Sequence, residues 1–202
     1  MIIFGLILAA YIIGSFQWGL LLVKLLHRVD VRNYGSGNTG VTNVLRVAGK
    51  KAALLTLIGD AGKGTVIVIA ARLLTPDETI HALAAVMVIT GHIWPLFSRF
   101  RGGRGIATGG GAAIALAPLV AVFALGIFIP VVVFTRIVSL GSILAVCTVA
   151  IFFLVGWLWF SYPIQYLMFS VSGGGFILLM HRQNMRRIFN GTERRIDGKS
   201  EI

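Results

Sequence analysis

The chain is built from long apolar runs, separated by short segments rich in arginine, glycine and amides. An apolar run of about 20 residues, rising 1.5 Å per residue as a helix, covers the ~30 Å hydrocarbon core of a bilayer. Backbone polar groups in that core must be satisfied internally, which leaves helices as the spanning elements for runs of this length. Such runs are read at 2–25, 52–74, 80–97, 139–160 and 162–180. "TPDE" (75–78) turns the chain between the second and third, and Pro163 in "SYP" ends a helix between the last two. With 57% hydrophobic and 12% charged residues and a mean hydropathy of +0.90, 202 residues cannot bury this apolar surface as a soluble domain. The first run has no basic stretch before it and exceeds twenty residues, so it is expected to be a retained span rather than a cleaved leader. A single cysteine, Cys147, leaves no intrachain disulfide.

The net charge of +11 is clustered: one group lies within 27–51, three arginines within 99–104, and six Lys or Arg from Arg182 onward. Placing all three groups on the cytoplasmic side satisfies the positive-inside rule. The apolar residues between Gly105 and Arg136 then decide the parity. A single span there would put the basic tail outside, whereas two short spans divided at Pro118 return it to the inside. The expectation is an all-α integral membrane protein with about seven transmembrane helices, N-terminus outside, C-terminus cytoplasmic and short helices around 106–135. A re-entrant pair in that region gives the same parity. With no repeat and no linker, residues 1–202 read as one polytopic unit. No nucleic-acid partner is expected.

On this reading three polar segments share one membrane face: "GSGNTGVTNVLR" (35–46), "GHIWPLFSRFRGGRGIAT" (91–108) and "HRQNMRRIFNGTE" (181–193). Glycines let backbone N–H groups approach a ligand, and free N–H groups at a helix start attract anions. "GGRGIAT" opens a predicted helix, and arginines beside such a nest match phosphate oxygens with forked donors. Asn38, Asn43 and Asn184 are amides beside cations, suited to a ligand carrying both oxygens and hydroxyls. Arg136, Ser139 and Ser142 fall at the same face, with helix anchoring and packing as the plainer alternative. Asp60 and Lys63, three apart in the second span, share a helix face. They are either a structural ion pair or a cation held toward a polar cavity. His92 and His181 flank two of the polar segments, as helix-end hydrogen-bonding residues or as proton-transfer groups. No histidine spacing suits zinc, so no metal is expected. Ser36 has no nearby relay and reads as a hydrogen-bond donor rather than a nucleophile.

The three segments, in this order from Ser36 to Glu193, resemble the signature segments of the bacterial membrane glycerol-3-phosphate acyltransferases that use acyl-phosphate, the PlsY family. "DAGKG" and "TRIVSLGSI" are similar to further family features. Two departures are seen: Arg101 and Arg104 stand where the family often has lysine, and Val41 where it usually has alanine. The resemblance implies transfer of a fatty acyl group from acyl-phosphate to the sn-1 hydroxyl of glycerol 3-phosphate. The products would be lysophosphatidic acid and phosphate, the first acylation of phospholipid biosynthesis. It implies no cofactor, a monomer, and a site at the cytoplasmic face of the bacterial inner membrane. Acyl-CoA and acyl-carrier-protein are not expected donors, since no histidine here begins the HxxxxD pair of the enzymes that use them.

Carried onto this chain, the resemblance puts Arg46, Lys63, Arg104, Thr108 and the backbone of Gly102, Gly103 and Gly105 on phosphate. Ser36, Asn38 and Asn184 would act at the reacting centre, while Asn43, His92, Ser142 and Arg136 would orient substrate. His181 is the first candidate for general base, with His92 and the substrate's own phosphate as the others. A transporter or channel for an organic phosphate is the competing reading. It too would gather inward cations and broken helices, but transporters usually show repeated halves.

Overall fold

Every apolar run read from the sequence is helical, and no strand occurs among the described residues. The computed structural model describes residues 2–196; Met1 and residues 197–202, including Lys199 of the basic tail, lie outside them. The order is α1 (Ile2–Gly14), α2 (Trp18–His27), α3 (Val41–Leu74), α4 (Glu78–Ile93), α5 (Ile106–Leu116), α6 (Pro118–Thr135), α7 (Val138–Trp159), α8 (Ile164–Met180) and α9 (Arg182–Phe189).

Local chemistry sets most of these boundaries. Asp77 caps α4 by accepting from the Thr79 backbone N–H at 2.8 Å. Pro118 sits in the first turn of α6, where its missing N–H is harmless, and divides 106–135 as expected. Three boundaries differ from the sequence reading. The first span is broken at 15–17 into α1 and α2, α3 begins at Val41 rather than near residue 52, and α4 ends at Ile93 rather than at 97. Gly49, at φ 76°, kinks α3 and turns the segment 41–48 out of the span's axis.

The expected count of seven is not reached by length and composition. Among the described residues, five stretches are long and apolar enough to cross: Ile2–His27, Val41–Leu74, Glu78–Ser98, Pro118–Thr135 and Val138–Trp159. A sixth is added if α8 and α9, bent by 61°, count as one. The shortfall is α5, whose 11 residues rise only about 16 Å. It is short because the loop before it folds back into the protein. Arg99 and Phe100 adopt positive φ, and the Gly103 N–H donates to the His92 carbonyl at 3.2 Å, so α5 starts alongside the end of α4.

Small residues let the backbones touch. A Cβ at Gly64 would run into the Thr108 carbonyl, and one at Gly111 into that of Ala61, so α3 and α5 pack backbone to backbone. Ile89 of α4 and Phe153, Phe169 and Ile177 of α7 and α8 fill the core between them. Val122, Phe134 and Leu73 are among the many large apolar side chains left on the outer surface, as a lipid-facing surface requires.

The basic segments meet at one end of the bundle. Arg32 donates to the Ser98 carbonyl at 3.0 Å, Arg194 to that of Gly35 at 2.9 Å, and the Ile196 N–H to that of Arg136 at 2.9 Å. The chain from 190 to 196 is thereby a strap across this end.

Candidate active site

Beneath the strap lies a cavity of about 850 Å³, reaching from the basic end down between α5, α6, α7 and α8. Its upper wall carries Ser36, Asn38, Arg46, Arg104, His181, Asn184, Arg187, Glu193 and Arg194. Its lower wall is apolar: Ala121, Ala124, Phe128, Val146, Val149 and Phe169. One space therefore offers guanidiniums at one end and hydrocarbon at the other, the polarity of a phosphorylated lipid.

The loop 35–43 is held by Asn43, which is buried and bonded on every side. Its amide donates to the carbonyls of Val31, Tyr34 and Asn38, and its oxygen accepts from the Ser36 N–H at 2.7 Å. Asn43 thus orients the loop, and Ser36 and Asn38 are what the loop presents. Arg104 follows from the glycine loop. Burial lowers its pKa to about 10; Glu193 opposes that shift, while Arg187, Arg46 and Arg194 add to it. It remains a cation at neutral pH.

His181 sits where α8 breaks into α9, 2% exposed. Its Nδ1 lies 2.8 Å from the Ile177 carbonyl. A carbonyl only accepts, so Nδ1 carries the proton and Nε2 keeps its lone pair. One helical turn on, the Asn184 amide nitrogen donates to Glu193 at 2.6 Å. That fixes the amide's orientation, and its oxygen is buried with no partner among the described residues.

Glu193 also accepts from Ser139 at 2.8 Å and from Arg187 at 2.7 Å. Burial alone would raise its carboxyl, but the hydrogen bonds from Arg187, Asn184 and Ser139 outweigh it and hold the pKa below the ordinary glutamate value. One ionised carboxylate thereby ties the strap to α7 and α9.

The cavity brings together ten of the residues expected from the sequence: Ser36, Asn38, Asn43, Arg46, His92, Arg104, Gly105, Ser142, His181 and Asn184. Five others do not line it. Lys63 lies behind the wall, with its ammonium on Asp60 at 2.9 Å, His92 at 2.9 Å and the Phe16 carbonyl at 2.6 Å. Gly102 and Gly103 pack against His92, and the Gly103 N–H is already bonded. Thr108 is fully buried between α5 and α3, and Arg136 is exposed beside the strap. Glu193, Arg187 and Arg194 were not singled out from the sequence. The signal was present: Glu193 is the one acid in a segment of five arginines running from Arg182 to Arg195.

Residues 4–191 match the family model described as glycerol-3-phosphate acyltransferase. The chain belongs to the glycerol-3-phosphate acyltransferase family. Among its relatives are the glycerol-3-phosphate acyltransferases of Rubrobacter xylanophilus, 41% identical over 96% of both chains, and of Halalkalibacterium halodurans, 39% identical over 97% of this chain and 96% of that one. Two solved structures of PlsY, an integral membrane glycerol 3-phosphate acyltransferase, superimpose closely. Its glycerol 3-phosphate form gives a TM-score of 0.91 at 34% identity, covering 97% of this chain and 96% of that one. Its lysophosphatidic acid form gives 0.88 at 32%, covering 98% and 97%. The family resemblance read from the three polar segments therefore holds over nearly the whole chain, and the protein is a membrane protein of this acyltransferase family.

Proposed function

We propose that the chain transfers a fatty acyl group from acyl-phosphate to the sn-1 hydroxyl of glycerol 3-phosphate, releasing lysophosphatidic acid and inorganic phosphate. The observation that carries this reading is the single cavity with Arg46, Arg104, Arg187 and Arg194 at one end and an apolar wall at the other. Among the described residues lining it, four guanidiniums stand with two carboxylates, Asp60 paired with Lys63 and Glu193 with Arg187. That excess suits two phosphate-bearing substrates together, and an acyl-phosphate donor brings the second phosphate. The structures of PlsY in glycerol 3-phosphate and lysophosphatidic acid forms support the acceptor and the product.

The chemistry asks little of the protein beyond placement and charge. An acyl-phosphate is a mixed anhydride with a good leaving group, so the glycerol hydroxyl attacks its carbonyl carbon directly. The new ester bond forms, the bond from that carbon to the phosphate oxygen breaks, and phosphate departs with the electron pair. His181 Nε2, with its lone pair free, takes the hydroxyl proton, and the leaving phosphate receives it. Ser36, Asn38 and Asn184 hold the glycerol backbone and the developing oxyanion, while Arg46 and Arg104 hold phosphate. Gly105, at the start of α5, and Ser142 shape the wall between the two substrates. Arg136 acts only by fastening the strap.

On this reading the protein is one monomeric unit of the bacterial inner membrane. The four gathered loops lie at the cytoplasmic face, and the N-terminus lies outside. α5 is then a seventh, shortened pass: Arg72 near the far end of α3 reaches the Ala115 carbonyl, and α6 runs back to the strap. The test is purified protein in lipid with radiolabelled glycerol 3-phosphate and either palmitoyl-phosphate or palmitoyl-CoA. Lysophosphatidate formed only from the acyl-phosphate is the expected result; product from the CoA tube alone would replace the donor.

A further inference from the structure

Lys63, Asp60 and His92 form a buried cluster that the reaction scheme does not use. All three side chains are within 4% of full burial. The Lys63 nitrogen donates to the Phe16 carbonyl at 2.6 Å and lies 2.9 Å from the Asp60 carboxylate as an ion pair, that buried oxygen having no hydrogen bond among the described residues. An ammonium has no lone pair, so its 2.9 Å contact with His92 Nδ1 is a proton donated to that nitrogen. Nδ1 is therefore the unprotonated nitrogen of His92, and Nε2 bears its proton. Asp60 stands 3.5 Å from the same Nδ1, too far to displace Lys63 from it.

The Nε2 end of this ring meets the glycine loop. A Cβ at Gly103 would run into Nε2 and one at Gly102 into the His92 carbonyl. That carbonyl also accepts from the Gly103 N–H at 3.2 Å and from Gln17 at 3.1 Å. The imidazole lines the cavity beside Arg104, two positions before the first turn of α5. The loop's own Gly103 amide is consumed internally, so a donor in its place has to come from a side chain.

Resting on the acyltransferase reading, we propose that Lys63, braced by Asp60, fixes His92 in its Nε2–H tautomer and makes it a rigid hydrogen-bond donor to the phosphate held by Arg104. His92 is then not a base. The cavity holds two neutral histidines in opposite tautomers: His181 presents a lone pair where a proton leaves, and His92 presents a proton where charge is bound. Lys63 and Asp60 are positioning residues that never touch substrate.

The deciding measurement is the nitrogen spectrum of protein labelled with ¹⁵N-histidine in lipid, with the His92 signals identified by their loss in His92→Gln. Nδ1 should resonate as an unprotonated nitrogen and Nε2 as a protonated one. Glycerol 3-phosphate, and separately inorganic phosphate, should shift the Nε2–H resonance. A proton on Nδ1 overturns the proposal whatever the enzyme's activity. So does an Nε2–H that stays still while radiolabelled glycerol 3-phosphate binds; absence of that binding would instead sink the acyltransferase reading. In kinetics, His92→Ala and Lys63→Met should raise KM for glycerol 3-phosphate roughly tenfold or more, with kcat falling less. His92→Gln, which keeps an N–H near the Nε2 position, should recover at least about half of that loss. Equal damage from alanine and glutamine would reduce the cluster to a brace between helices.

Discussion

At its arginine end the cavity leans on α4, of whose most apolar stretch 61% is buried, and on the glycine loop locked to His92. At its hydrocarbon end it is walled by α6 and α7, where the corresponding shares are 17% and 22%. The two ends meet different physical demands. Phosphate and a reacting carbonyl require donors fixed in direction, so their supports are packed backbone to backbone and tied by buried ions. An alkyl chain needs only a dry surface of the right length, and side chains backed by lipid supply one. Stiffness is concentrated where chemistry depends on angle.

The contrast predicts a graded series of effects. His181→Ala removes the proposed proton acceptor and should lower kcat about 10²- to 10⁴-fold, measured with saturating acyl-phosphate. Retention within tenfold would assign the proton to the substrate's phosphate. Arg104→Ala should cost on the order of 10²- to 10³-fold. Arg104→Lys should be milder in rate but weaker in binding, because lysine offers a point charge instead of a fork.

Glu193→Gln should cost roughly tenfold, because it keeps the shape of the clasp and loses its charge-assisted bonds. Its pH signature follows from sign. The native carboxyl sits below its unfolded value, so its stabilisation is complete above the unfolded pKa and vanishes as pH falls through the native one. Hydrogen exchange at the Ile196 amide should therefore rise, relative to its intrinsic rate, on acidification below about pH 4 in wild type. In Glu193→Gln it should already be raised at neutral pH and change little. The smallest effect belongs to the hydrocarbon end. Ala124→Phe should slow palmitoyl transfer by about a few-fold while sparing short acyl donors, since only the length of the dry wall changes. A uniform loss across chain lengths would show that this end is as rigid as the other.

The helices were legible because apolar length is a direct physical requirement of the bilayer; 139–160 and 162–180 fall within about two residues of α7 and α8. α5 was not legible as a half-length element. Nothing in "RGGRG" states that the loop turns back into the protein; that depends on its docking against His92, a contact made only in three dimensions. Ten of the residues that line the cavity were readable from amides, cations and glycines in the polar segments, but how they pair with one another was not. Lys63 looked like a phosphate ligand because a cation within a span suggests a site, and only the folded chain shows it donating to Phe16 and His92 and paired with Asp60. Glu193 was passed over because a lone acid in a basic tail reads as solvated charge until Ser139, brought in from α7, closes on it.

The strap joins residues separated by most of the chain: Arg194 meets Gly35, and Glu193 with Asn184 completes a wall begun by Ser36. During synthesis, then, the earlier helices enter the membrane with the cavity's mouth unfinished. No fragment ending before the strap contains both Asn184 and the carboxylate that fixes its amide. A chain interrupted before the strap would therefore carry every one of these helices and still lack the carboxylate that closes the cavity's mouth.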